Sequence, residues 1–212
     1  MPSQDLRAAL DRDLLFGLVQ QAIARPDRIP ASRHENGFEK LTLGVDPATG
    51  ALIRAHFWSR VDSESDAATV GNLHNHRWDF ASLVLRGELR IATYVESSAG
   101  EDYYYYRYWP ERGDELEFIG VTRLARYAIV SLGAGSEYDE PAEEIHHASP
   151  RAGVDTVTVM ARSPGQKTFA DVYSLRARPD VVESSSDLPM SRVAELLDDL
   201  AGLVEAARLR RR

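Results

Sequence analysis

The spacing of apolar residues divides the chain into two helical ends and a middle of a different kind. Between residues 6 and 23, apolar side chains recur every three or four positions, which is the period of an amphipathic helix. Residues 193–204 repeat that period. From residue 38 to residue 175, short runs rich in valine, isoleucine, threonine and tyrosine are separated by glycine, proline or aspartate. The pattern predicts an all-β sandwich or jelly roll with a helix at each end.

Two pairs of these runs predict hairpins. Residues 41–45 and 52–61 flank a turn sequence at 46–50, and residues 80–85 and 89–95 flank Gly87. Further strands are predicted at residues 103–109, 127–132, 144–148, 156–161 and 168–175.

The length of 212 residues fits one domain. We expect an N-terminal helix within residues 1–25, a β-barrel core over residues 38–176 and a C-terminal helix over residues 190–210. The N-terminus lacks the basic start and apolar run of a signal peptide, and no segment reaches the ~20 apolar residues of a membrane helix. A cytoplasmic protein with no membrane partner is therefore expected.

Composition and charge narrow the chemistry. The chain has no cysteine, which excludes disulfides, thiolate metal sites and cysteine nucleophiles. Its net charge of -8 disfavours a phosphate backbone as partner, because nucleic-acid affinity comes mainly from lysine and arginine. Any metal must be bound through imidazole and oxygen, and a small-molecule ligand is favoured over nucleic acid.

Histidine clustering is the main chemical signal. Four of the six histidines fall into two tight groups, His74 with His76 and His146 with His147. Residues two apart on a strand point to the same side, so His74 and His76 can present both rings to one face. Of two adjacent histidines only one can face inward, which leaves His146 and His147 as alternatives for a third ligand.

The segment from Gly71 to Gly87 resembles the first motif of the cupin superfamily, in which a glycine precedes a His-x-His pair and a second glycine follows about eleven residues later. The segment from Glu140 to His147 resembles the second motif loosely, without its usual Pro-x-Gly. The resemblance covers about residues 71–161 and implies a double-stranded β-helix, the cupin jelly roll.

The resemblance also implies a divalent metal held by His74, His76 and His146, because in similar sequences the third ligand follows an aliphatic residue. Many cupins add a glutamate ligand at the position that Phe80 occupies here. Asp79 could substitute for it only if the strand bulged. Three histidines are therefore expected, as in the thiol dioxygenases, with positions left open for substrate, water or oxygen.

Three further residues are candidates for the catalytic pocket. Residues 52–61 alternate so that Arg54, His56 and Trp58 share one face, which points either into the barrel or to solvent. An inward Arg54 could clamp a substrate carboxylate, and His56 would lie beside it. Tyr105, in the aromatic run 103–109, joins them if its face turns inward, although packing or a dimer interface also explains that run.

These features leave three hypotheses for function. The first is a mononuclear non-heme iron(II) oxygenase or dioxygenase that acts on a small polar metabolite. The second is an isomerase, epimerase or lyase that uses zinc, nickel or manganese as a Lewis acid. The third is a non-catalytic metabolite-binding cupin. The resemblance further implies a homodimer.

Overall fold

Eleven β-strands are the main elements of the computed structural model, which describes residues 4–34, 37–60, 73–177 and 186–210. The strands are β1 Ala31–Arg33, β2 Phe38–Val45, β3 Leu52–Trp58, β4 Leu73–His74, β5 Phe80–Arg86, β6 Glu88–Trp109, β7 Glu115–Gly133, β8 Glu137–Glu140, β9 Ile145–Pro150, β10 Thr156–Arg162 and β11 Ala170–Ser174.

The strands form two antiparallel sheets. One has six strands in the order β1-β2-β3-β10-β5-β8, and the other has five in the order β11-β4-β9-β6-β7, with β11 also paired to β6. The hairpin predicted around residues 46–50 is confirmed as β2 and β3. The predicted all-β, two-sheet fold with helices near both ends is confirmed. Gly71 and the end of the predicted strand 52–61 lie outside the described residues.

Among the described residues, three α-helices lie near the termini: α1 Gln4–Ala8, α2 Arg12–Ala24 and α3 Met190–Leu209. The prediction of one N-terminal helix over residues 6–23 was wrong, because the helix is interrupted before Asp11 and a second helix starts after it. The Asp11 side chain accepts hydrogen bonds from the backbone N–H groups of Asp13 and Leu14, at 2.9 and 3.1 Å, and so caps a new helix. No helix of the described residues is long and apolar enough to cross a membrane.

The largest apolar core lies between these helices and one face of the six-stranded sheet. Alternate residues of β3, Ile53, Ala55 and Phe57, belong to this core together with apolar residues of α2 and α3. The intervening residues Arg54 and His56 point to the other face, where they line a cavity. The helices therefore supply the packing, and the opposite face of the sheet is left for polar chemistry.

Gly87 joins the two sheets, so the prediction of a hairpin between its flanking strands was wrong. Strand β5 pairs with β10 and β8, whereas β6 pairs with β7, β9 and β11. Gly87 has φ 80°, and a Cβ there would collide with the Asp155 carbonyl oxygen and with Thr156. Only glycine can pass this close to neighbouring backbone in a left-handed conformation without strain.

Strands β6 and β7 form a long ribbon at one edge of the five-stranded sheet. Several apolar side chains of β7 are exposed, among them Phe118 at 56%, Val121 at 59% and Tyr127 at 77%. At the end of the ribbon where β6 connects to β7, Tyr108, Pro110 and Leu116 line the cavity. The homodimer stays a prediction, which light scattering after size-exclusion chromatography would test.

Candidate metal and substrate site

Three histidine rings converge between the two sheets. His74 ends β4 and lies directly opposite His146 of β9 in the strand register. The ring centroids of His74, His76 and His146 are 4.9 to 5.0 Å apart in each pair. One nitrogen of each ring lies within 4.8 Å of one nitrogen of the other two. The structure thus brings together the three histidines expected from the sequence.

The backbone around His76 is held by hydrogen bonds that a strand does not supply. Strand β4 ends at His74, so the expectation that a continuous strand presents both rings was wrong. Instead, the Asn75 side chain donates to an Asp171 carboxylate oxygen at 2.8 Å and accepts from the Asp171 backbone N–H at 2.7 Å. The backbone N–H groups of Asn75 and His76 donate to the carbonyls of Asp171 and Ala142, each at 3.1 Å.

His146 is the member of the adjacent pair that faces the site. It is 3% exposed, and the alternation of β9 turns His147 to the other side of the sheet. The Nδ1 atom of His146 lies 2.9 Å from a carboxylate oxygen of Glu140, which is also 3% exposed. A buried carboxylate at Nδ1 fixes the orientation of an imidazole and leaves Nε2 for a metal.

The pKa values of two of these histidines shift in opposite directions. Burial, followed by the neighbouring His146 and His74, lowers the pKa of His76 well below its ordinary value, so this ring is neutral. Burial also acts to lower the pKa of His146, but the Glu140 carboxylate and the Glu144 carbonyl outweigh it, and the net shift is upward. Metal binding requires a free ring nitrogen, so the upward shift makes binding at His146 more sensitive to acid than it would be without Glu140.

Phe80, at the position where the resemblance to cupins would place a glutamate ligand, forms an apolar wall beside the histidines. Its ring is 5% exposed and lies 5.1 Å from the ring of His76. Asp79 is engaged elsewhere, because its carboxylate accepts hydrogen bonds from the Ala142 N–H and the Gln166 amide, both at 2.8 Å. The described residues therefore offer three imidazoles and an apolar wall at this point.

The three histidines fit a divalent ion such as iron or zinc. Two nitrogens bound to one ion at ~2.1 Å lie at most about 4.2 Å apart. The observed nitrogens are within 4.8 Å of one another, so small rotations of the rings would bring them to bonding distance. The set of neutral nitrogen ligands without thiolate suits iron, zinc, nickel or manganese.

The rings face a cavity of about 330 Å³, a size suited to a small metabolite. Arg54 and His56 line the same cavity, which resolves the two orientations left open by the sequence in favour of the interior. Burial, followed by the charges of Arg54, His34 and Lys40, lowers the pKa of His56 well below its ordinary value. His56 is therefore a neutral base that faces the ligand space.

Tyr105 does not line the cavity, contrary to the sequence-based expectation. Its hydroxyl donates to an Asp171 carboxylate oxygen at 2.7 Å, and its ring stacks on Tyr173 with centroids 5.0 Å apart. Asp171 in turn holds Asn75, between the two histidines. Tyr105 therefore helps to position the site indirectly, through Asp171, and does not face the ligand space.

Sequence reasoning missed Glu140 and Asp171 as parts of the site. Glu140 stood out only as part of a loose motif, although it is six residues before His146. It meets His146 because β8 joins the six-stranded sheet and β9 the five-stranded one. Asp171 is 96 residues from Asn75, and no local sequence pattern predicts that the two residues form a pair.

Comparison with known proteins gives similarity of fold at low identity. No protein-family model matches the sequence, and no curated protein matches it significantly. A solved RmlC-like cupin from Shewanella frigidimarina NCIMB 400 is 14% identical over 66% of this chain and 88% of its own, with a TM-score of 0.38. Hydroxypropylphosphonic acid epoxidase from S. wedmorenis is 12% identical over 66% of this chain and 56% of its own, with a TM-score of 0.39.

A third solved structure, hydroquinone 1,2-dioxygenase in complex with Cd²⁺ and 4-hydroxybenzonitrile, is 14% identical over 58% of this chain and 63% of its own, with a TM-score of 0.34. This chain spans little more than half of the epoxidase. At this level of similarity, the function has to be inferred from the geometry of the chain itself.

Proposed function

We propose that the protein is a metal-dependent enzyme of the cupin type, a mononuclear non-heme iron(II) oxygenase that acts on a small polar metabolite. The observation that carries the proposal is the convergence of His74, His76 and His146 beside a cavity. Three protein ligands leave coordination positions free, which is how catalytic rather than structural sites are built. Iron(II) bound there would supply a redox-active centre for oxygen chemistry, with the substrate as the source of the remaining electrons.

The side chains around the histidines would orient the substrate and exclude water. Trp78 stacks on the His76 ring with centroids 5.7 Å apart, and Phe80 and Met160 add apolar surface to the cavity. Where apolar side chains exclude water, electrostatic interactions inside the cavity become stronger. Arg54 and His56, among the polar residues of the lining, lie where they can orient a ligand.

The neutral His56 favours a second candidate, an isomerase, epimerase or lyase. An imidazole that lines the cavity and stays unprotonated can accept a proton from a substrate whose carbonyl a metal polarises. Zinc, nickel or manganese would serve in that reaction, and it would consume no oxygen.

Metal content tests the proposed centre directly. We expect untagged protein to retain one divalent ion per chain by elemental analysis, and His74→Ala and His146→Ala to lose it. His147→Ala is the matched control, since it removes the adjacent imidazole from the opposite face of β9. Equal metal content in all four proteins would overturn the assignment.

Oxygen uptake separates the two enzymatic candidates. Iron(II)-loaded protein is mixed with a panel of small carboxylic acids, phosphonic acids and neutral polyols in an oxygen electrode. Uptake above that of His74→Ala supports the oxygenase, whereas product formation under argon supports the Lewis-acid reaction. A protein that binds metal and panel compounds but transforms none fits the binding-module hypothesis instead.

A further inference from the structure

The charges that line the cavity are all of one sign. Among the described lining residues, three carry basic side chains, Lys40, Arg54 and Arg77, and none carries a carboxylate. This contrasts with the whole chain, whose net charge is -8. Although the protein is acidic overall, its cavity is lined by cationic side chains. They create a local positive potential, which attracts anions.

Arg54 lacks a counterion within the described residues. Its Nε atom is buried without a hydrogen-bond partner, and the side chain makes no ion pair with another described residue. Burial, followed by the charge of Arg162, lowers the pKa of Arg54 to about 10, so the group remains a cation at neutral pH. A partly buried charge without a partner is costly, and an incoming anion would relieve that cost.

Arg162 reinforces the positive charge from the next strand. Arg54 faces Met160 across the β3–β10 ladder, and Arg162 lies two residues beyond Met160, on the same side of the sheet. The Arg162 guanidinium carbon lies 4.3 Å from the centre of the Trp78 ring, and that of Arg54 lies 6.0 Å from it. The Nε atom of Arg162 is also buried and unpartnered.

Trp78 connects this cationic pair to the candidate metal centre. Its ring contacts both guanidinium groups and stacks on His76. The cavity lining includes Arg54, Trp78 and His76 together. A ligand with one end at Arg54 would therefore extend past the indole toward the three histidines.

We propose that Arg54 binds an oxyanion group of the substrate, a carboxylate or a phosphonate, with Arg162 strengthening the local positive field. A guanidinium can hold either group through two parallel hydrogen bonds. The assignment of this anion as a substrate rests on the proposed function, whereas the anion site itself does not require the metal. The substrate class is thus a small acid rather than a neutral sugar or alcohol.

Metal-free protein tests the site without interference from anions that bind a metal. Malonate and methylphosphonate serve as probes, with malonamide as the neutral counterpart of malonate. Binding is followed by calorimetry and by the indole N–H signals of the three tryptophans, with the Trp78 signal assigned from Trp78→Phe. We expect at least one anion to bind and to shift the Trp78 signal, and malonamide to do neither.

Arg54→Met should weaken the binding of that anion at least tenfold, and Arg54→Gln, which keeps hydrogen-bonding capacity without charge, should show a similar loss if the Met variant fails to fold. Arg60→Met is the matched control, because Arg60 is an exposed arginine close to the end of the same strand. Unchanged affinity in both Arg54 variants overturns the proposal, as does binding of malonamide as tight as that of malonate. Anion binding in a protein that takes up no metal would support this site while refuting the metal centre.

Discussion

Replacing Glu140 with glutamine tests how the candidate metal centre is organised. The Glu140 carboxylate is 3% exposed and lies 2.9 Å from Nδ1 of His146. Glutamine keeps the shape of the side chain but removes the charge that holds the His146 ring. A buried hydrogen bond to a charged group contributes about 1.5 to 3 kcal/mol. Because tenfold in affinity corresponds to about 1.4 kcal/mol, metal binding should weaken about 10- to 100-fold.

The assay is a competition titration of metal-free protein with zinc and cobalt against a chromophoric chelator. Asp79→Asn is the matched control, since it removes a nearby carboxylate that bonds to the Ala142 N–H and to Gln166 rather than to a histidine. Its metal affinity should stay within a few-fold of the wild type. If Glu140→Gln binds both metals as tightly as the wild type while His146→Ala does not, the orienting role of Glu140 is refuted.

Three further predictions concern stability, each measured by urea unfolding of metal-free protein. Asn75→Ala should lower the free energy of unfolding by roughly 2 to 4 kcal/mol, because it removes two buried hydrogen bonds to Asp171, and a loss below 0.5 kcal/mol would contradict this. Gly87→Ala should cost at least about 1 to 2 kcal/mol from its left-handed backbone alone, whereas Gly120→Ala, where a Cβ meets nothing within 4 Å, should cost far less. Because the pKa of His56 is lowered in the folded state, the unfolded chain takes up a proton that the folded chain refuses as pH falls below about 6.5. Stability should therefore decline from pH 7.5 to pH 5, and His56→Phe should reduce the slope.

The features predicted best from the sequence were those set by the two-residue alternation of a strand. The alternation of β3 placed Ile53 in the core and Arg54 and His56 on the other face, because a strand turns successive side chains to opposite sides. It did not reveal which face was covered by helices. That depends on where α2 and α3 pack, which is a property of the tertiary fold.

Boundaries were predicted less well, for identifiable reasons. The apolar period continues through residues 6–23, and it hid the capping signal of Asp11. At Gly87, a turn glycine between two apolar runs has the same local sequence whether the runs pair or separate into two sheets. Only the positions of more distant strands distinguish the two outcomes.

At the candidate site, the histidines were predictable and their supports were not. Imidazoles are rare in this chain, so two tight groups stand out against the background. Glu140 and Asp171 are common residue types whose partners come from other strands. Their importance follows from the burial of their side chains and from the residues toward which these side chains point, and neither can be read from the sequence pattern.

The main apolar core lies outside the space between the sheets, and this placement affects how the protein can evolve. Since α2 and α3 secure one side of the six-stranded sheet, the side chains around the ligand space need not fill it to hold the protein together. Apart from Asn75 and the lining residues of a second apolar cluster, Phe38, Trp58 and Ile91, substitutions there can explore new ligands at little cost in folding, and loss of folding is the usual obstacle to new activities. This architecture is therefore a good starting scaffold for laboratory evolution directed at the cavity alone.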